Sequence, residues 1–231
     1  IDDKVYNDFY IGKNADVIIN AGCGIHNDGC KETHHNGIHR FFLEEGAKVL
    51  YLEKHCGEGD GEGKRVLDPV TEVHLGKNAS LEMHTTQIKG VDSTIRKTSG
   101  ELDDGASLVV LEKIMTHGHQ TAETEFVVDL NGKGSRTQVT SRSIAAENSE
   151  QKFVSKVYGN NECFGHVECD AIIKDHGKVV STPEISANCV DANLIHEAAI
   201  GKIAGEQIIK LETLGLTEKE AEAAIIDGFL K

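Results

Sequence analysis

Tryptophan is absent from this chain, and proline occurs only twice in 231 residues. Scarce proline beside 24 glycines argues against a disordered tract and for many tight turns within regular structure. No apolar run approaches the ~20 residues that a membrane-spanning helix needs, and no charged-then-apolar leader opens the chain. Basic charge is also short: 24 Lys and Arg stand against 38 Asp and Glu, a formal net charge of -14. That balance repels phosphate backbones and anionic membranes, which sets nucleic-acid binding aside.

Familiar catalytic motifs are missing as well. Residues 57–65 are glycine-rich and include Gly63-Lys64, but Glu58 stands where a P-loop needs its first glycine and Arg65 where it needs Ser or Thr. His196-Glu197 begins like a zincin helix, yet Ile200 occupies the place of the second histidine. No serine lies in a G-x-S-x-G context. The chain carries no recognisable engine of its own.

What it has is a repeat. Ile11-Gly12-Lys13-Asn14-Ala15, Leu43-Glu44-Glu45-Gly46-Ala47, Leu75-Gly76-Lys77-Asn78-Ala79 and Leu102-Asp103-Asp104-Gly105-Ala106 share one plan: an apolar residue, a polar Gly turn, a small residue, a strand. Their alanines lie 32, 32 and 27 residues apart, and Gly134 follows 28 residues later. Each unit has room for two or three short strands, as one coil of a β-solenoid requires. Val17, Ile19 and Ala21 share a strand face, as do Leu108, Val110 and, after a bend, Glu112. A two-sheet sandwich also alternates; the regular repeat and the rarity of Asn-Gly hairpins favour the solenoid.

The period changes after about residue 190. Ile200, Ile203, Ala204, Ile208 and Leu211 form one helical stripe, so a helix is expected from Ala192 to Leu214, capped by Asp191 and closed by Gly215. Thr217 and Glu220 form a capping-box pattern that opens a second helix, with Ala221, Ala224, Ile225 and Phe229 inward. The expected organisation is a β-core over 1–190 and a helical hairpin over 191–231 that closes the solenoid's end.

Six cysteines and 12 histidines, without a secretory signal, suit metal or thiol chemistry in a reduced, cytoplasmic setting. One constellation holds Cys23, His26, Cys30, His34, His35 and His39, dense in zinc-type ligands. The second is Cys163-x2-His166-x2-Cys169, followed 27 and 28 residues after Cys169 by His196 and Glu197. One coil spans about that distance, so thiol, imidazole and carboxylate become spatial neighbours, a set that suits iron. The alternative is a buried thiol plus an acid at a helix N-terminus.

Glu168-Cys169-Asp170-Ala171-Ile172-Ile173, Pro183-Glu184-Ile185, the run His196-Glu197-Ala198-Ala199-Ile200-Gly201-Lys202-Ile203, Glu206-Gln207, Gly215-Leu216 and Gly228-Phe229 resemble the C-terminal core of SufB/SufD proteins. Ser141-Arg142-Ser143 and Val91-Asp92-Ser93-Thr94 extend the resemblance upstream. It implies a mostly β fold, a right-handed parallel β-helix with a C-terminal α-helical hairpin. It also implies a scaffold for a transient iron–sulfur cluster that forms a homodimer or a SufB/SufD-type heterodimer. The ABC-type ATPase SufC would then dock on the helical segment through Ile200, Glu206, Gln207 and Phe229. Cys169, with Glu197 and His196, would accept sulfur or ligate the cluster, with low-pKa thiolate character at Cys169. Cys163, His166, Cys23, Cys30, His35 and His39 are auxiliary metal-ligand candidates. Many family members carry an N-terminal helical region that this sequence lacks. Two other readings stand beside this one: a metal-dependent hydrolase or lyase using the cluster near residues 23–39, and a SufD-like architectural subunit without a cluster.

Overall fold

The structure is a computed structural model and describes residues 2–231. Among them are fifteen strands and two helices. One sheet is built from β1 (Asp2–Ile11), β3 (Thr33–Leu43), β5 (Arg65–Leu67) with β6 (Val70–Leu75), β8 (Ser93–Leu102), β10 (Thr121–Leu130), β12 (Glu150–Gly159) and β14 (Lys178–Ala187). The other runs through β2 (Asp16–His26), β4 (Lys48–Glu58), β7 (Ser80–Lys89), β9 (Ser107–Thr116), β11 (Ser135–Ala145), β13 (Cys163–Ile173) and β15 (Ala192–Gly201).

Every pairing is parallel, and each strand pairs with one from the neighbouring coil. A sandwich of hairpins would pair sequential strands antiparallel. The chain is therefore a parallel β-solenoid of seven turns, followed by two C-terminal helices. The repeat spacings reappear as register: Asp16 lies opposite Lys48, Lys48 opposite Ser80, and Ser80 opposite Ser107. Each coil uses two long strands rather than three. Where β5 gives way to β6, Pro69 removes a ladder donor and breaks the strand.

The repeat works through its corners. Asn14, Gly46, Asn78, Gly105 and Gly134 occupy the same turn in successive coils, all with positive φ between 55° and 74°. The residue after each corner is small, and Ala47, Ala79, Ala106 and Ser135 are fully buried. A corner Asn is followed by Gly in the next coil for a steric reason. A β-carbon on Gly46 would collide with Asn14 Oδ1, and one on Gly105 with Asn78 Oδ1.

The helix expected from Ala192 is not there. Residues 192–201 form β15, hydrogen-bonded to β13 along ten residues, and α1 runs only over Gly205–Glu212 with Ala204 as its N-cap. Ala198 and Ala199 favour helix locally, but the exposed edge of β13 offers a complete ladder, and tertiary pairing overrides propensity. The second helix is as expected: α2 (Glu218–Phe229) opens on a capping box in which Thr217 accepts from the Glu220 N–H and Glu220 accepts from the Thr217 N–H. Gly215, at φ 98°, ends the first helix. Of the expected inward residues Ala221 is fully buried and Ile225 and Phe229 are half-buried, while Ala224 is exposed.

Candidate functional site: two buried thiols and a charged lumen

The two sheets enclose a lumen filled by alternate side chains of each strand. It divides lengthwise. Val49 and Tyr51, Leu81 and Met83, Leu108 and Val110, and Val139 line an apolar stripe. Further along the same strands the inward positions turn polar: Glu53 and His55 on β4, Thr85 and Gln87 on β7, Glu112 on β9, Ser141 and Ser143 on β11. Sheet-mates His39, Thr94, Arg96, Thr98 and Thr124 face them from the opposite wall.

These polar groups are linked. Cys23 Sγ lies 4.0 Å from Glu53 Oε1 and 4.0 Å from His39 Nε2. Tyr51 O–H donates to Glu53 Oε1 at 2.9 Å, and His55 Nε2 approaches the same oxygen at 3.1 Å. Arg96 donates to His55 Nδ1 at 2.7 Å and pairs with Glu112 at 3.5 Å. Glu112 accepts from Thr124 and from Ser141, whose strand neighbour is Cys169. A polar stripe thus joins one buried thiol, Cys23, to another, Cys169. Burial alone pushes a carboxyl up, but the His55 contact and the Arg96 charge hold Glu53 down at about 2. His39 and His55 are pushed down by burial and so are neutral imidazoles at neutral pH.

Sequence reasoning placed Glu112 on the inner face and overlooked Glu53, His55 and Arg96. The signal was available. Val49, Tyr51, Glu53 and His55 recur with period two on one strand, so the last two are charged or polar residues at core positions.

The motif Cys163-x2-His166-x2-Cys169 does not converge. Cys163 and Cys169 point into the lumen, 6% and 1% exposed, while His166, an odd number of residues from each, lies on the outer face. Cys169 pairs with Ala198, Glu168 with Glu197, and Val167 with His196. His196 therefore shares the inner face with Cys169, on the adjacent strand, and continues the inward series of Ala192 and Leu194. Glu197 is on the outer face, where its carboxylate lies 3.6 Å from His166 Nε2. Burial pushes the Cys169 thiol up to about 11, opposite to the low-pKa thiolate expected there, and burial also lowers His196.

The N-terminal constellation divides in the same way. Cys23 and His39 are buried in the lumen. His26 pairs with Asp28 at 2.8 Å and His34 with Glu32 at 2.5 Å, both outside it; His35 pairs with Asp3 at 3.0 Å on the same face of β3 as His39, its side chain 16% exposed, and Cys30 is exposed. Of the expected docking residues, Ile200, Glu206 and Gln207 are exposed and Phe229 is half-buried. Helix α1 buries no residue, and Ile209 stands 59% exposed upon it. Among the described residues no helix is long and apolar enough to cross a membrane.

Comparison with known proteins identifies the family. An iron–sulfur cluster assembly SufBD family protein of Pyrococcus horikoshii is 30% identical over 229 residues, which is 98% of this chain and 68% of that protein. One from Methanothermobacter thermautotrophicus is 28% identical over 230 residues, 94% of this chain and 53% of its own length. One from Methanocaldococcus jannaschii is 26% identical over 222 residues, 81% of this chain and 69% of its own length. The chain thus spans between about half and two thirds of the length of these relatives. The family model for SUF system FeS cluster assembly, SufBD core domain, matches residues 11–229. A solenoid that this model covers almost from end to end belongs to the SufBD core family of the SUF iron–sulfur cluster assembly system.

Proposed function

We propose that the chain is a SufB-like scaffold subunit, on which a cluster is built at the β15 end of the solenoid and handed on. The reading is carried by one observation: Cys169 and His196 lie on the same inner face of the last two strands of their sheet. The neighbouring coil end is poorly covered. Val180 and Ile185 on β14 are 54% and 46% exposed, and Ile195 on β15 is 37% exposed. A second subunit packing there would bury these apolar groups and bring two sets of thiol and imidazole together. Incomplete ligand sets that become complete only between subunits suit a cluster that must leave again. The raised pKa of the Cys169 thiol fits this scheme as a resting state, protonated until iron or a docked partner displaces the proton. On this reading the ATPase SufC docks on the exposed α1 and the surface around Ile200, Glu206, Gln207 and Phe229, in the cytoplasm, and the chain itself is no enzyme.

The outward placement of Glu197 favours a second reading, an architectural, SufD-like subunit, because it takes the acid away from the thiol. One experiment separates the two. Anaerobic incubation with ferrous iron and sulfide gives a brown, cluster-type visible spectrum if the chain is a scaffold. Cys169→Ser then removes at least nine-tenths of that absorbance with an unchanged far-ultraviolet dichroism spectrum. A full cluster spectrum in the variant overturns the role of Cys169, and no spectrum in either protein supports the architectural reading.

A further inference from the structure

Cys23, His39 and Glu53 meet at the other end of the lumen, on three different strands, and the cluster role proposed for Cys169 makes no use of them. Their donor atoms form a nearly equilateral triangle: 4.0 Å from Cys23 Sγ to His39 Nε2, 4.0 Å from Cys23 Sγ to Glu53 Oε1, and 3.7 Å from His39 Nε2 to Glu53 Oε1. These separations are too long for strong hydrogen bonds. They are the right length for something else. A point at the centre of that triangle is about 2.3 Å from all three atoms, against metal–ligand distances of about 2.0–2.3 Å for zinc with Cys, His and carboxylate donors. A pull inward of a few tenths of an ångström completes the fit.

We propose that Cys23, His39 and Glu53 form a site for one divalent, borderline-soft transition-metal ion, zinc or ferrous iron, inside the lumen.

Three further features of the same place point to an ion. Gly37, two residues before His39 on β3, has no positive φ and so needs no glycine for its backbone. What its missing side chain provides is space: a β-carbon there would sit 2.8 Å from His39 Nε2 and 3.8 Å from Cys23 Sγ. His39 is 3% exposed, and its Nδ1 is buried with no hydrogen-bond partner, so the ring is held with its other nitrogen toward the thiol and carboxylate rather than by a bond of its own. The charge is also unbalanced in the required sense. Arg96 is paired with Glu112, which leaves Glu53, and Cys23 once its proton is released, as two negative groups for a dication.

His55 also lies within range, its donor atom and those of Cys23 and Glu53 all falling within 4.8 Å of one another. Arg96 decides against it as a ligand. A guanidinium only donates, so the Arg96 bond to Nδ1 puts the proton of the neutral His55 ring on Nε2 and leaves that atom no lone pair for an ion. Tyr51, which donates to Glu53 Oε1, orients the carboxylate, as outer partners of metal ligands commonly do. Cys23, 9% exposed, is the member through which an ion and the displaced proton reach solvent.

The test uses Co2+ as the spectroscopic probe, on the whole chain with Cys30, Cys56 and Cys189 replaced by serine to remove the accessible thiols. One equivalent of Co2+ produces a thiolate-to-cobalt charge-transfer band with tetrahedral visible bands, and Zn2+ displaces it. Cys23→Ser abolishes the thiolate band, and His39→Gln weakens Co2+ binding at least tenfold. Gly37→Ala, which keeps every ligand and fills the space, weakens it at least tenfold too and serves if a ligand variant does not fold. Cys169→Ser leaves the band intact, so the result is independent of the cluster role. Absence of the thiolate band, or a band that persists in Cys23→Ser or is unaltered in folded Gly37→Ala, overturns the site.

Discussion

Glu53 sits with its side chain 2% exposed, beside Tyr51, His39 and His55, and with the Arg96 charge behind His55. A carboxylate so placed is stabilising only because its partners remain in position. Its folded-state pKa of about 2 lies below the ordinary value of 4.5. The linkage sign follows: the contribution is fully present above pH 4.5 and disappears as pH falls toward 2. The separation of the two values corresponds to at most about 3 kcal/mol. Glu53→Gln is therefore expected to destabilise the metal-free chain by about 2–3 kcal/mol at pH 7. In urea titrations that gap narrows steadily below pH 4.5; a gap independent of pH shows that Glu53 is not the titrating group. The period-two pattern of β4 made this residue's inward position legible. Its partners were not, because His39 and Arg96 belong to other coils, and nothing in local sequence states which strands face each other.

At the scale of elements, strand parity decides what the cysteine motifs can do. A spacing of three residues is good ligand spacing in a loop or helix; in a strand it sends the side chains to opposite faces. That is why His166 parts from Cys163 and Cys169. It is also why Glu197 parts from His196, since a shift of one residue inverts the face. The helical reading of 192–201 failed for a related reason: the segment's alanines suit a helix, but β13 presents a free edge of matching length. Corners were more legible, because their demands are local. Gly46 has φ 71°, and its missing β-carbon makes way for Asn14 Oδ1. Gly46→Ala is expected to cost at least about 1–2 kcal/mol from the left-handed conformation alone. Chemical denaturation measures it, and an unchanged midpoint would show that the corner tolerates a side chain.

The whole molecule is a stack whose coils each depend on the next. Such a solenoid must cover its end coils or leave strand edges and apolar groups open. The C-terminal helices do not close the end as a plug. Lys174 on the solenoid pairs with Glu222 of α2, and Arg142 and Lys113 on the flank donate to the carbonyls of Phe229 and Lys231. The helices therefore lie along the outer flank of the β9–β13 sheet, and β14 and β15 remain exposed. With the end uncovered, self-association or pairing with a related subunit is the expected outcome. Val180→Lys places a charge within that surface and is expected to shift the chain toward monomer by at least tenfold in dissociation constant. Light scattering across a concentration series reads this, and a variant that associates as the parent does would move the interface elsewhere.

The sequence by itself determined the coil: its length, its left-handed corners, the small buried residue after each corner, the capping box of α2 and the strongly acidic net charge. All of these depend on residues a few positions apart, where turn sterics and periodicity act directly. Only the tertiary structure decided which thiol faces which imidazole, that the charged groups of the lumen form one connected stripe, and that residues 192–201 are a strand. Those outcomes depend on register between coils some thirty residues apart, and a hydrogen-bonded ladder fixes that register to the single residue.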